Sequence, residues 1–225
     1  MVSTRLMCVW SFFDICLAAA GAVTTALSVV WRKKTNLLWQ WSLDNGEFDS
    51  ATVLGVLLLL TLPVSLAAVS QQHNRTSRLV VLNWCLFVDA LAVLVVGTWI
   101  WFISLRERVW YHNKWEVATA AQRVELQDMF HCCGYFNTSD YAEVGGYCAN
   151  QTFIDSLNSS VYADVCVTAV TGYGDAIMNG CFTYIYSYIS IILSLILATL
   201  CVIKKRKEDE RFKRIDAKRG GGGFV

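Results

Sequence analysis

Apolar positions along the chain gather into four long runs and do not alternate or recur on one helical face. The runs occupy residues 8–31, 51–69, 79–103 and 182–203. Crossing about 30 Å of hydrocarbon takes about 20 residues at 1.5 Å each, so every run is long enough to span a bilayer. A soluble fold has no use for four such runs. The pattern predicts an all-α membrane protein with four transmembrane helices. The first run passes directly into Trp31-Arg32-Lys33-Lys34 without a small-residue cleavage site, so it reads as an uncleaved signal anchor.

The polar intervals are unequal. Residues 1–7 and 204–225 form the termini, 32–50 a small loop, 70–78 a short one, and 104–181 by far the longest. An even number of spans puts both termini on one side. That side, with the 70–78 loop, holds 12 Lys and Arg, including Arg5, Arg75, Arg78 and nine in the tail; the other side holds 7. The positive-inside tendency therefore predicts cytoplasmic termini, with the 32–50 and 104–181 loops outside. The run Arg32 to Lys34 argues the other way. Charge is separated accordingly: the tail carries nine positive and four negative groups, and the stretch from Arg106 to Cys181 four positive and nine negative. A basic juxtamembrane tail is what an anionic inner leaflet attracts. Composition agrees with this placement, since 55% of residues are apolar and 16% charged.

The large loop carries the candidate chemistry. It holds five of the nine cysteines: Cys132, Cys133, Cys148, Cys166 and Cys181. A domain this small buries little apolar surface, so disulfides are the expected supplement in an oxidising compartment. Three sequons, at Asn137, Asn150 and Asn158, mark N-glycosylation on the same side; a fourth match at Asn74 falls in the 70–78 loop and should stay unmodified. Trp110, Val117, Ala121 and Val124 give an apolar stripe that predicts a helix continuing the third span, with no Pro to break it. From Cys132 onward that pattern fails, and Gly134, Gly145, Gly146, Gly172, Gly174 and Gly180 predict turns.

Cys132-Cys133-Gly134, about 27 residues after the third of four spans, with a further Cys in Asn179-Gly180-Cys181 just before the fourth, resembles the tetraspanin family over the whole chain. Adjacent cysteines point apart, so each must reach a different partner, and the Gly lets the chain turn there. The resemblance implies a small, helical, disulfide-bonded large extracellular loop in which Cys132 pairs with Cys181 and Cys133 with Cys166. Cys148 is then odd, either free or standing in for Cys166. Chain length and the placement of Cys148 look most similar to the fungal branch, which is linked with polarised structures such as infection cells. The family also implies polar residues facing a cavity between helices that admits sterol; this chain has Asp14, Asn83 and Asp89 in its first and third spans and no charge in the fourth. Cys8 and Cys201, at the ends of spans, are the expected palmitoylation sites. Ala18, Ala22 and Ala26 offer a small-residue packing face on the first span.

The implied function is lateral binding of partner membrane proteins, of other tetraspanin-like proteins and of lipid, organising them into microdomains at the plasma membrane or on endomembrane vesicles, without catalysis. No triad, phosphate loop or metal-binding helix is visible, His131-Cys132-Cys133 cannot span a tetrahedral site, and no cofactor is expected beyond bound sterol. The rival reading is a four-span ion channel that uses Thr171-Gly172-Tyr173-Gly174 as a filter. Against it, Thr and Val stand in the reverse of the filter order, and a re-entrant loop would carry Asp155, Asp164 and Asn158 into lipid.

Overall fold

The structure is a computed structural model and describes residues 4–32, 41, 43–70, 76–158, 161 and 164–218. Asn74, Arg75, Lys33, Lys34, Arg219 and the Ser159-Ser160 end of the third sequon lie outside the described residues. The described residues form seven helices: α1 (Thr4–Trp31), α2 (Asn45–Val69), α3 (Ser77–Ser104), α4 (Glu107–Val117), α5 (Ala120–Phe130), α6 (Gln151–Ser156) and α7 (Cys166–Lys218). Among the described residues there is no strand, only an isolated bridge between Gly145 and Cys148.

α1, α2, α3 and α7 are long and apolar enough to cross a membrane, as the four runs predict. Only 22–33% of their most apolar windows is buried. Phe12, Ile15, Val95 and Leu197 are each more than 60% exposed, so the outward faces are as apolar as the inward ones. Such a surface is stable in lipid, where a helix satisfies its own backbone hydrogen bonds. The chain is a multi-pass membrane protein.

The chain divides into two compact units. The bundle unit comprises Met1–Val30, Phe48–Gly97 and Tyr184–Val225. Within it α1 runs antiparallel to both α2 and α7. Trp10 Nε1 donates to Thr199 Oγ1 at 3.1 Å, and Thr24 and Tyr188 share a hydroxyl bond of 2.9 Å, while Ser28 meets Thr52 at 2.8 Å. α1 buries Trp10, Asp14, Leu17, Gly21 and Ser28, a face with roughly helical spacing. Gly21 and Gly55 bring α1 and α2 together: a Cβ on Gly21 would lie 3.0 Å from the Gly55 carbonyl, and one on Gly55 would meet Thr25. The expected Ala18-Ala22-Ala26 face is not the packing face. Ala22 and Ala26 are exposed, because the face holding Trp10 and Asp14 is the one with polar partners. α3 meets α7 where Gly97 lies under the Tyr186 ring. α2 stays helical through Pro63.

The stapled unit comprises Trp31–Glu47 and Thr98–Thr183. Its main core gathers Trp41, Tyr111, Trp115, Leu126, Cys132, Tyr135, Cys166, Val170 and Met178, and a second cluster holds Cys133, Cys148 and Ile154. The helix expected to continue the third span is interrupted twice. α3 gives way to α4 at Leu105 and Arg106, and α5 starts afresh after Thr119, whose side chain and Gln122 form a reciprocal capping box. The buried positions of α4 are Tyr111 and Trp115, one turn apart, while Val117 of the expected stripe is 83% exposed. A stripe counted through the Ala118 break loses its register.

Candidate functional site

Adjacent cysteines can only serve as a hub if the chain turns sharply beside them, and here it does so twice. His131 closes α5 in the left-handed region (φ 53), and Gly134 has φ +70. A Cβ on Gly134 would fall 2.1 Å from the Asn137 carbonyl oxygen, so the position requires Gly. Cys132 bonds Cys166 and Cys133 bonds Cys148. Backbone bonds knit the same segments: Cys133 N–H donates to Asp164 O, Cys166 N–H to Gly134 O, and Val167 N–H to Tyr135 O. The two staples thus fasten the Cys148 arm and the start of α7 to one point.

The implied bonds Cys132–Cys181 and Cys133–Cys166 are therefore corrected, while the alternative in which Cys148 stands in for Cys166 holds as the partner of Cys133. Cys181 is a free, half-buried thiol, and Cys148 is bonded. The reason is helical geometry. Cys166 is the first residue of α7, and Cys181 lies four turns further along the same helix, about 22 Å away at 1.5 Å per residue. Only the helix start is beside the hub. Sequence spacing could not anticipate this, because the apolar run that marks the last span begins only after Cys181.

Of the glycines expected at turns, Gly134, Gly145 and Gly146 have positive φ, whereas Gly172, Gly174 and Gly180 lie inside α7. Gly174 has a packing role: a Cβ there would sit 2.1 Å from the buried Tyr111 hydroxyl. Nothing lies within 4 Å of one on Gly172 or Gly180. The Thr171 to Gly174 stretch is α-helical, so its carbonyls run along the helix axis and form no extended filter.

The small loop takes part in the stapled unit, which its sequence did not suggest. Trp41 is buried, edge-on to Trp115 with ring centres 6.0 Å apart. Lys114 of α4 holds it there. Its Nζ donates to the Trp41 carbonyl at 2.9 Å, lies 2.8 Å from Asp44 Oδ1, and sits 3.7 Å above the Trp110 ring. Burial pushes the Lys114 ammonium below its usual range, and Asp44 opposes that shift. Gln127 is a second residue that pattern reading missed. Fully buried near the end of α5, with its amide oriented to satisfy both ends it accepts the Gly134 N–H at 3.1 Å and donates to Glu143 O at 3.2 Å.

All three sequon asparagines are exposed. Asn137 lies in the turn after Gly134, with its carbonyl accepting Asp140 N–H. Asn150 caps α6: its Oδ1 accepts Phe153 N–H at 2.7 Å and the Thr152 hydroxyl at 2.6 Å. Asn158 N–H donates to Asp164 Oδ2. His112 packs among aromatic side chains. Its ring faces Asp140 at 3.2 Å among Tyr135, Phe136 and Tyr141. His131 stacks on Tyr147.

In the bundle unit the intramembrane carboxyls are buried and approach α2 from α1 and α3. Asp14 lies against Ser65, and Asp89 accepts the Thr61 hydroxyl at 2.6 Å. Thr61 and Ser65 are one turn apart on α2, a helix from which no polar site residue was expected. Asn83 is half-buried, on the same helix as Asp89, and its Oδ1 has no hydrogen-bond partner among the described residues. Cys8 and Cys201 are both exposed. Each lies two residues outward of the Trp10–Thr199 bond, which sets them at one end of the antiparallel α1–α7 pair.

Glu107 opens α4 with a buried, unpartnered Oε2. Burial, and then the charge of Asp175, raise its carboxyl above the usual value of 4.5. The folded state therefore holds a proton that the unfolded chain releases, and stability falls as pH rises from 4.5 through the folded value. Glu107→Gln should raise the thermal unfolding midpoint at pH 7, with the gain vanishing at pH 4. An equal gain at both pH values would refute this account.

Comparison with known proteins adds no relative: no family model matches the chain, nor does any curated protein or solved structure.

Proposed function

We propose that the chain is a tetraspanin-like membrane organiser, binding other membrane proteins laterally and gathering them, with lipid, into microdomains. The observation that carries this reading is the pair Cys132 and Cys133 at the Gly134 turn, one bonded to the first residue of the fourth spanning helix, Cys166, and the other to Cys148 in the segment before it. That arrangement ties two segments to one point: Cys132, Cys133, Cys148 and Cys166 are all bonded, and the buried Gln127 amide bonds backbone beside them. Cys133 bonds Cys148, the stand-in for Cys166 that the resemblance left open, and two staples at one point is what the resemblance implies.

In this reading both termini are cytoplasmic and the stapled unit is external, following the Lys and Arg count. Asn137, Asn150 and Asn158 carry glycans, and Cys8 and Cys201 carry palmitoyl chains, consistent with their exposure. Asp14, Asn83 and Asp89 face a sterol site between helices. The partners are membrane proteins in cis, including other copies of such organisers, in a fungal plasma membrane or vesicle serving polarised growth.

The test is crosslinking in intact membranes followed by mass spectrometry of captured proteins. A Cys133→Ser/Cys148→Ser variant should lose most of the partners that the wild type captures. An unchanged partner set would sink the proposal, as would potassium currents in bilayers that Gly172→Ala abolishes. Glycosidase should shift the wild type but not the Asn137→Gln/Asn150→Gln/Asn158→Gln variant. A shift that depends on Asn74 would invert the topology.

A further inference from the structure

α7 does not end where its apolar residues end. It continues to Lys218, and no Gly or Pro between 204 and 218 bends it. Over this stretch Lys204, Lys207, Arg211, Arg214 and Lys218 recur at i, i+3, i+7, i+10 and i+14. At 3.6 residues per turn, those five fall within about 80° of one helix face. All five are exposed, and no ion pair engages any of them among the described residues. The acids lie off the stripe: Lys205 faces Glu208 at 3.9 Å and Asp209 at 3.8 Å, Glu210 stands beyond the stripe's edge, and Asp216 is on the far side. Like charges three and four residues apart repel one another and weaken a helix. Here that repulsion is spread over four turns, with no ion pair to offset it.

We infer that this stripe docks an acidic amphipathic helix of a soluble protein, in the compartment that the C-terminus faces. Charge complementarity sets the partner's sign, and the 3.5-residue recurrence sets its form, since a helix laid alongside presents side chains at the same interval. Ile215, 39% exposed, borders the stripe, and Phe212, 63% exposed, lies further round; together they supply the apolar contact such a pair needs. A bilayer surface fits less well. A straight extension of a spanning helix, tilted about 20° on average, carries Lys218 about 20 Å beyond Lys204. Headgroups extend only about 5–8 Å past the hydrocarbon, and screening at physiological salt adds about 8 Å. Together these reach about 13–16 Å, past Arg211 at about 10 Å and as far as Arg214 at about 14 Å, so the leaflet meets the near end of the stripe and leaves Lys218 beyond it. A stripe that runs along the membrane normal cannot lie flat on the bilayer, whereas a helix laid alongside meets its whole length. The inference rests on α7 spanning the membrane and not on the proposed organiser role, so either can fail alone.

The test uses the full chain in nanodiscs of phosphatidylcholine and a fluorescein-labelled peptide of about six helical turns with Glu at i, i+3, i+7, i+10 and i+14 and Leu beside them. Anisotropy should report binding at least about tenfold tighter than for a composition-matched scramble. The Arg211→Gln/Arg214→Gln/Lys218→Gln variant should lose about tenfold in affinity, Arg211→Lys/Arg214→Lys should retain it, and the off-stripe Lys205→Gln/Lys213→Gln variant should change less than about threefold. Equal binding of the scramble, or equal loss in the off-stripe variant, would reduce the effect to unspecific attraction and overturn the inference. Loss of peptide binding when phosphatidylserine is added to the nanodiscs would assign the stripe to the tail's own bilayer instead.

Discussion

Gly174→Ala should lower the stability of the stapled unit by about 3 kcal/mol, whereas Gly172→Ala two residues earlier should raise it by about 0.5–1 kcal/mol. Both glycines are inside α7, so in each case Ala improves helix propensity by about the latter amount. They differ in what the new methyl meets. At Gly172 nothing lies within 4 Å. At Gly174 the methyl would stand 2.1 Å from the hydroxyl and 2.4 Å from the Cζ of Tyr111, a fully buried side chain in the main core. Tyr111 cannot swing out without exposing its ring, and overpacking of this kind costs about 1–3 kcal/mol or more. Thermal unfolding in detergent, followed by tryptophan fluorescence with Trp41 and Trp115 as reporters, reads both changes. Equal shifts for the two variants would mean that Tyr111 does not rest on Gly174.

The second large effect concerns the staples. Cys148→Ser should cost about 3 kcal/mol and Cys166→Ser about 4 kcal/mol, by the chain-entropy relation for separations of 15 and 34 in sequence. Cys181→Ser should cost almost nothing, because its thiol is free. The family-implied pairing makes a different forecast, with Cys181 as important as Cys132, and with Cys148 dispensable unless it stands in for Cys166. Peptide mapping under non-reducing conditions separates the two directly. Recovery of a Cys132–Cys181 peptide, together with a destabilised Cys181→Ser, would reject the pairing described here.

The same contrast runs through the whole molecule. Four spans were legible in the sequence because lipid imposes a length and a composition on every residue of a spanning helix, wherever its neighbours stand. Two staples were legible in outline, since Cys132-Cys133-Gly134 cannot close on itself. Their partners were not, because Cys166 and Cys181 differ only in which turn of α7 they occupy, and that helix starts several turns before its apolar run. Trp110, Val117, Ala121 and Val124 misled for a related reason: periodicity assumes an unbroken helix, and the Thr119 capping box breaks it. The three glycines of α7 look like turn signals by composition, yet Gly174 is there to seat Tyr111, which belongs to a different helix far back in the chain.

Long-range pairs of this kind leave no local trace. Lys114 with Trp41 and Asp44, and Thr61 with Asp89, each join residues whose types are ordinary where they stand. By itself the sequence determined the four helices long and apolar enough to cross a membrane, the separation of a basic tail from an acidic loop, and the disulfide bonding of the stretch from Cys132 to Cys166. These follow from hydropathy and charge, which act residue by residue. Which cysteines bond, which face of α1 packs, and which glycine is pressed against a neighbour were decided only by the tertiary structure, because each depends on the distance between residues that the chain order does not encode.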